Sequence, residues 1–100
     1  MEEAIKKVIE QRKNLNMNDD MGIQKCWKDI TSILSENEEN TIKYLDNCEK
    51  DELYWISEVF EDISENLQSH EFIKCLRRLD VKFPELDMTK DIDLAEEYIM

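Results

Sequence analysis

Glycine and proline are almost absent from this chain, and their absence limits the folds it can adopt. Among 100 residues there is one of each, Gly22 and Pro84. Folds built from many β-strands need such residues at their turns, because glycine supplies positive φ angles and proline fixes a turn geometry. The rest of the composition is dominated by Glu, Lys, Leu, Ile and Asp, which favour helix. We therefore predict an all-α fold.

The spacing of apolar residues predicts about six amphipathic helices, each with one inward face. A chain of this length forms one domain, residues 1–100. The predicted helices are approximately residues 2–15, 21–36 and 38–48, an acidic helix capped by Asp51, one capped by Ser69 that ends before Pro84, and one capped by Thr89.

A short internal similarity leaves two arrangements of these helices open. TIKYL at residues 41–45 is similar to FIKCL at residues 72–76, with an offset of 31 residues. This offset is near the period of helix-hairpin repeats, although two copies do not establish a repeat. Because every connection is short, consecutive helices are expected to be antiparallel. The predicted architecture is therefore either an antiparallel bundle or a set of stacked α-hairpins.

The formal charge of −12 is large for this length and unevenly distributed. Residues 51–100 contain 14 acidic and 5 basic residues, whereas residues 1–50 contain 11 and 8. From Asp51 to Ile73 there are seven acidic residues and no lysine or arginine. Such an excess argues against direct binding to nucleic acid or to an anionic membrane, since both need positive charge on the protein. It favours a basic protein partner, or it serves solubility alone.

The cysteines indicate a reducing compartment. Cys26, Cys48 and Cys75 are odd in number, widely spaced and placed on the apolar faces of predicted helices, so we expect buried free thiols. The N-terminal sequence has no apolar run of signal-peptide length, and no window approaches the roughly 20 apolar residues that span a bilayer. We therefore expect a cytoplasmic protein that is not inserted in a membrane.

The sequence offers no catalytic residue, metal site or cofactor site. His70 has no nucleophile with an orienting partner, and a zinc site with Cys75 would need two further ligands. Residues 87–97, DMTKDIDLAEE, lack the central glycine of a calcium loop, and a single glycine precludes a glycine-rich phosphate loop. The densest basic cluster is expected to pair with neighbouring acidic residues rather than nucleic acid: Lys74, Arg77, Arg78 and Lys82.

The segment SEVFEDISEN, residues 57–66, contains the best candidate for a functional surface. On a single helix its four carboxylates fall within an arc of about 100°, opposite the apolar residues. Like charges three or four positions apart cost roughly 0.2–0.5 kcal/mol per pair, so these residues are unfavourable for folding alone. Tyrosine and tryptophan, which are enriched at interface centres, lie in or beside this arc. The predicted docking face, called here the acidic stripe, comprises Tyr54, Trp55, Glu58, Glu61, Asp62 and Glu65.

Residues 41–99 carry a family resemblance in YWIS, FEDIS, the LQS turn before a helix, KFPELD and the closing DIDLAEEYI. In these motifs the chain resembles small acidic all-α immunity proteins of bacterial polymorphic or contact-dependent toxin systems. The resemblance implies a cytosolic, non-enzymatic antidote that binds one toxin domain and blocks its active site or its docking. It transfers no binding residues, so the acidic stripe rests on the charge argument, and it does not extend to residues 1–40.

Taken with the charge, the resemblance favours a protein that neutralises a toxin domain with a basic surface. A nucleic-acid mimic that inhibits a nuclease would use the same carboxylates in place of phosphates. A helical adaptor without a charge-driven partner is a further alternative. A small enzyme is the weakest, because no catalytic constellation can be identified.

Overall fold

The computed structural model describes all 100 residues, and it contains only helices and the segments that join them. The all-α prediction is therefore confirmed. None of the helices combines the length and the apolar composition required to cross a bilayer. The helices are α1 (Glu2–Asn14), α2 (Asp20–Leu34), α3 (Glu38–Asn47), α4 (Lys50–Ile56), α5 (Phe60–Leu67), α6 (His70–Lys82) and α7 (Thr89–Glu97), with 3-10 turns at Ser57–Val59 and Pro84–Leu86.

Two predicted boundaries of α6 are confirmed. Ser69 is the N-cap, and its hydroxyl oxygen accepts a hydrogen bond from the Phe72 N–H at 3.0 Å. The helix ends at Lys82, before Pro84. Proline disfavours helical geometry in the residue that precedes it, which explains the position of this end.

Two predicted caps are wrong. Asp51 lies inside α4, whose N-cap is Glu49; the Glu52 carboxylate accepts from the Glu49 N–H at 3.3 Å, so this pair caps the helix instead. Thr89 is the first residue of α7 rather than its cap, and its hydroxyl donates to Asp80 at 2.7 Å. Thr89 thus ties α7 to α6.

Hydrogen bonds between side chains and residues 30 to 32 positions away show how the helices stack. Trp27 bonds to Glu58 and Ser35 to Asn66, in the same order along both segments, so α2 runs parallel to α5. By the same reasoning α3 is parallel to α6 and α5 to α7. In contrast, α6 and α7 are antiparallel, because Arg77 pairs with Glu96 and Asp80 with Thr89. The arrangement is one of stacked α-hairpins. The further pairs are Glu38 with Ser69, Asp46 with Arg78, Ser64 with Ala95, and Gln68 with Tyr98.

One hydrophobic core of 21 buried apolar residues runs through the stack, and the Cα radius of gyration is 12.6 Å. Its largest side chains are Phe60 and Phe72. Two buried hydroxyls, which would be costly without partners, donate to helix carbonyls: Thr41 to Leu34 at 2.7 Å and Ser64 to Ala95 at 2.6 Å.

All three cysteines are buried and free, as the apolar faces predicted. Burial raises the pKa of Cys48 and of Cys75 to about 12, and it also raises the pKa of Cys26. The Cys75 thiol additionally lies 3.4 Å from a carboxylate oxygen of Asp46, which further disfavours the thiolate. All three thiols are therefore protonated near neutral pH.

We expect these thiols to be unreactive in the folded protein, because both burial and the raised pKa suppress the reactive thiolate. Titration with a chromogenic thiol reagent near neutral pH should give little colour until denaturant is added, and then the signal of all three cysteines. Rapid labelling of the native protein would contradict the packing described here.

Two residues other than glycine adopt left-handed backbone geometry, Gln68 (φ 48°) and Asp87 (φ 52°). Gln68 follows α5, and its side-chain amide donates to the carbonyls of Glu65 and Tyr98 and accepts from the Met100 N–H. Asp87 is exposed and makes no comparable contacts. The left-handed geometry at Gln68 is thus compensated by its side chain, and that at Asp87 is not.

Glycine substitutions at these two positions should therefore have opposite effects. Asp87→Gly removes a steric cost and should raise the free energy of unfolding by up to about 1 kcal/mol. Gln68→Gly removes the same kind of cost but also three hydrogen bonds, and should lower it by roughly 1–3 kcal/mol. Chemical denaturation of the two variants beside the parent protein measures both changes. Equal shifts in one direction would show that the Gln68 contacts do not stabilise the C-terminal segment.

Candidate protein-docking face

The acidic stripe does not lie on one continuous helix. Its segment is broken by the 3-10 turn Ser57–Val59, where Val59 has φ −122° and ψ 17°. The prediction of a single helical face is wrong in this respect. The apolar periodicity nevertheless continues across the break. Of the five residues predicted to face inward on this segment, Leu67 is partly buried and the other four are buried: Ile56, Val59, Phe60 and Ile63.

Glu58 is engaged within the protein. Its carboxylate accepts two hydrogen bonds from the Arg12 guanidinium, at 3.0 and 2.8 Å, and a third from the Trp27 indole N–H at 3.1 Å. The Arg12 side chain is 14% exposed and the Glu58 side chain 27%. The absence of cations near Glu58 in the sequence is therefore misleading, because Arg12 reaches it from α1.

Trp55 belongs to the same cluster, whereas Tyr54 points outward. The Arg12 guanidinium lies 4.9 Å from the centre of the Trp55 ring, a cation–π geometry. Trp55 is half-buried, and Tyr54 meets it edge to face at 5.0 Å while remaining 53% exposed. Of the two aromatic residues in the predicted face, Tyr54 is the one available to a partner.

Three carboxylates of the acidic stripe have no ion-pair partner. Glu61, Asp62 and Glu65 all lie on α5 and are absent from the nine ion pairs of the protein. Glu61 is partly exposed, and Asp62 and Glu65 are exposed. These three residues with Tyr54 form the part of the predicted face that could contact another protein, called here the free acidic face.

Asp62 and Glu65 also line a groove of about 610 Å³ between α2 and α5. Two side-chain hydrogen bonds connect the segments that flank this α2–α5 groove near its ends, Trp27 with Glu58 at 3.1 Å and Ser35 with Asn66 at 3.0 Å. The residues that line the groove are mainly polar or charged, and they include Gln24, Trp27, Lys28, Ser32, Asp62 and Glu65.

The basic cluster on α6 is largely used inside the protein. Arg77 contacts Asp93 at 2.8 Å and Glu96 at 2.7 Å, and Arg78 contacts Asp46 at 3.0 Å. Lys74 pairs with its helix neighbour Glu71 at 3.2 Å, and Lys82 lies over the ring of Phe83. The prediction that this cluster pairs with acidic residues is confirmed for Lys74, Arg77 and Arg78.

Residues with catalytic or metal-binding potential are not brought together. His70 is exposed at the first position of α6. No group of three or more His, Cys, Asp or Glu side chains is placed to hold a metal ion. Burial raises the pKa of Tyr44, whose hydroxyl donates to Glu52, and that of Asp91. The hydrogen bond to Glu52 adds to the raised pKa of Tyr44, and the nearby charge of Asp87 adds to that of Asp91; neither residue belongs to the acidic stripe.

Comparison with protein-family models, with curated proteins and with solved structures finds no significant match. The resemblance of residues 41–99 to immunity proteins therefore stays a prediction.

The contact between Arg12 and Glu58 should contribute measurably to stability, because both side chains are partly desolvated and share two charge-assisted hydrogen bonds. We expect Arg12→Ala to lower the free energy of unfolding by about 1–3 kcal/mol, through lost bonds and lost packing on Trp55. Lys25→Ala, which removes an exposed ion pair within α2, should leave the melting temperature nearly unchanged. Equal melting temperatures for both variants would show that the Arg12–Glu58 contact does not stabilise the protein, and Glu58 would then count as a free carboxylate.

Proposed function

We propose that the protein binds a cationic protein partner through the free acidic face, and that this partner is a bacterial toxin domain which it neutralises as an immunity protein. The observation that carries the proposal is the presence of three carboxylates without ion partners, Glu61, Asp62 and Glu65, on the same α4–α5 segment as exposed Tyr54. The resemblance in residues 41–99 is the reason to expect a toxin domain as this partner, and it leaves the activity of the toxin open. A cytoplasmic location accords with the three free, buried thiols.

The energetics of the face suit capture of a basic partner. Like charges at neighbouring helix positions cost a few tenths of a kcal/mol per pair, and Glu61 and Glu65 form such a pair on α5. Close charge pairs across interfaces have coupling energies of roughly 1.5–7 kcal/mol, a range measured for barnase and barstar. One such contact would offset the cost in the free protein, and the uncompensated charge would accelerate association.

A helical adaptor is the second candidate, and the stacked hairpins favour it. Side-by-side helix pairs create extended surfaces that bind protein segments in many repeat proteins. This alternative uses the same surface but does not require a toxin partner, nor a strong dependence of binding on salt.

The test is capture of partners from the native host, followed by identification of the bound protein and assay of its toxicity with and without this protein. A triple variant, Glu61→Gln, Asp62→Asn and Glu65→Gln, removes the free charges and leaves the Glu58–Arg12 contact intact. We expect slower association and a weaker dependence on salt. The matched control is Glu3→Gln, Glu10→Gln and Glu97→Gln, three exposed residues without ion pairs elsewhere on the protein. Equal loss of binding in both triple variants would point to net charge alone.

Tyr54→Ala should act on dissociation rather than association, because an exposed aromatic anchor contributes short-range contacts. We expect a faster dissociation rate, equivalent to about 1–3 kcal/mol, with an unchanged salt dependence. Stopped-flow or surface-based kinetics with the identified partner measures both rates. An unchanged dissociation rate would place Tyr54 outside the interface and direct attention to residues 1–40.

A further inference from the structure

We propose that the α2–α5 groove, rather than the acidic surface as a whole, receives an arginine- or lysine-rich segment of the partner. This inference rests on the proposed function in one respect, the cationic character of the partner. It goes further by naming the place of contact and the side chains that line it.

Two side-chain hydrogen bonds set the geometry of the groove. Near one end Trp27 donates to Glu58, which also accepts from Arg12, and near the other Asn66 donates to Ser35. Both are hydrogen bonds between side chains, and together they fix the distance between the two parallel segments. The groove between them is therefore preorganised, and an entering segment need not open it.

The charges in the groove are not neutralised within the protein. Asp62 and Glu65 face α2 from α5, and the one cation in the walls, Lys28, makes no ion pair with either. The indole of Trp27 lies in the same groove. A guanidinium group suits an aromatic ring beside carboxylates, because it stacks on the ring and donates two parallel hydrogen bonds to a carboxylate. A basic segment is the occupant that complements this wall.

Thr31, on the α2 side of the groove, is partly exposed, but its Oγ1 is buried and is the one buried side-chain polar atom that lacks a hydrogen-bond partner. This hydroxyl is not accessible from the groove, so recognition of the segment rests on the carboxylates and on Trp27.

The test is a titration of the folded protein with an acetylated oligoarginine peptide, followed by ¹⁵N NMR, with an oligocitrulline peptide of equal length as the neutral probe. The Trp27 indole N–H and the Asn66 side-chain amide report on the two ends of the groove. We expect both signals to shift with oligoarginine and not with oligocitrulline. Shifts spread over the acidic surface, with these two unchanged, would overturn the proposal.

Two pairs of variants separate the groove from the net charge. Asp62→Asn with Glu65→Gln should weaken binding of oligoarginine about tenfold, whereas Glu10→Gln with Glu97→Gln, at the same net charge, should weaken it much less. Lys28→Ala should strengthen binding more than Lys7→Ala, which removes an exposed lysine of α1 that makes no ion pair. Equal effects within either pair would show non-specific attraction and would overturn the inference.

Failure here is distinguishable from failure of the proposed function. If the captured toxin domain binds and the triple variant of the free acidic face impairs it, while the Trp27 and Asn66 signals stay unchanged on complex formation, the groove inference is wrong and the proposed function stands. If no toxin domain is captured but oligoarginine binds in the groove, the groove inference stands and the partner class must be revised.

Discussion

Parallel packing of α5 against α2 on one side and α7 on the other determines where this protein has closed contacts and where it has a groove. Between α5 and α7 the Ser64 hydroxyl reaches the Ala95 carbonyl at 2.6 Å, so the two backbones are close and a larger residue at either position would force them apart. Between α2 and α5 the joining groups are whole side chains, such as Trp27 with Glu58, and these hold the helices farther apart. The size of the joining side chains thus decides that a groove forms on one side of α5 and a sealed contact on the other.

Arg12 divides the carboxylates of the acidic stripe into two groups. Glu58 contacts Arg12 and Trp27, and removal of Arg12 would leave the partly desolvated carboxylate without a counter-charge, which is costly. The remaining carboxylates of the stripe lie on α5 and make no ion pair within the protein, so only the helix dipole, at Glu61 and Asp62 in the first turn, favours them in the folded state. An account of the stripe as one uniform surface would therefore misjudge both stability and binding.

The fold class could be predicted because its signals are local. Scarcity of glycine and proline excludes strand-rich folds, and the periodicity identified the buried residues even across the break at Ser57–Val59. That same periodicity concealed the break, since Ile56, Val59, Phe60 and Ile63 have helical spacing whether or not the backbone is regular. The partner of Glu58 could not be predicted, because sequence order does not reveal which helices touch. The available hint was that Arg12 follows Ile5 and Ile9 on the inward face of α1, where a cation requires a counter-charge.

Solubility alone explains the free carboxylates less well than docking does. Carboxylates that serve solubility can lie anywhere on a surface, and they do not need an apolar group beside them. Here they accompany an exposed tyrosine ring, which reduces solubility, on a segment from Asp51 to Ile73 that contains no cation. Apolar area and uncompensated charge are each mildly unfavourable in the free protein, and both become favourable when a basic surface with an apolar contact covers them. Their coincidence on α4 and α5 is the physical reason to look for the partner there first.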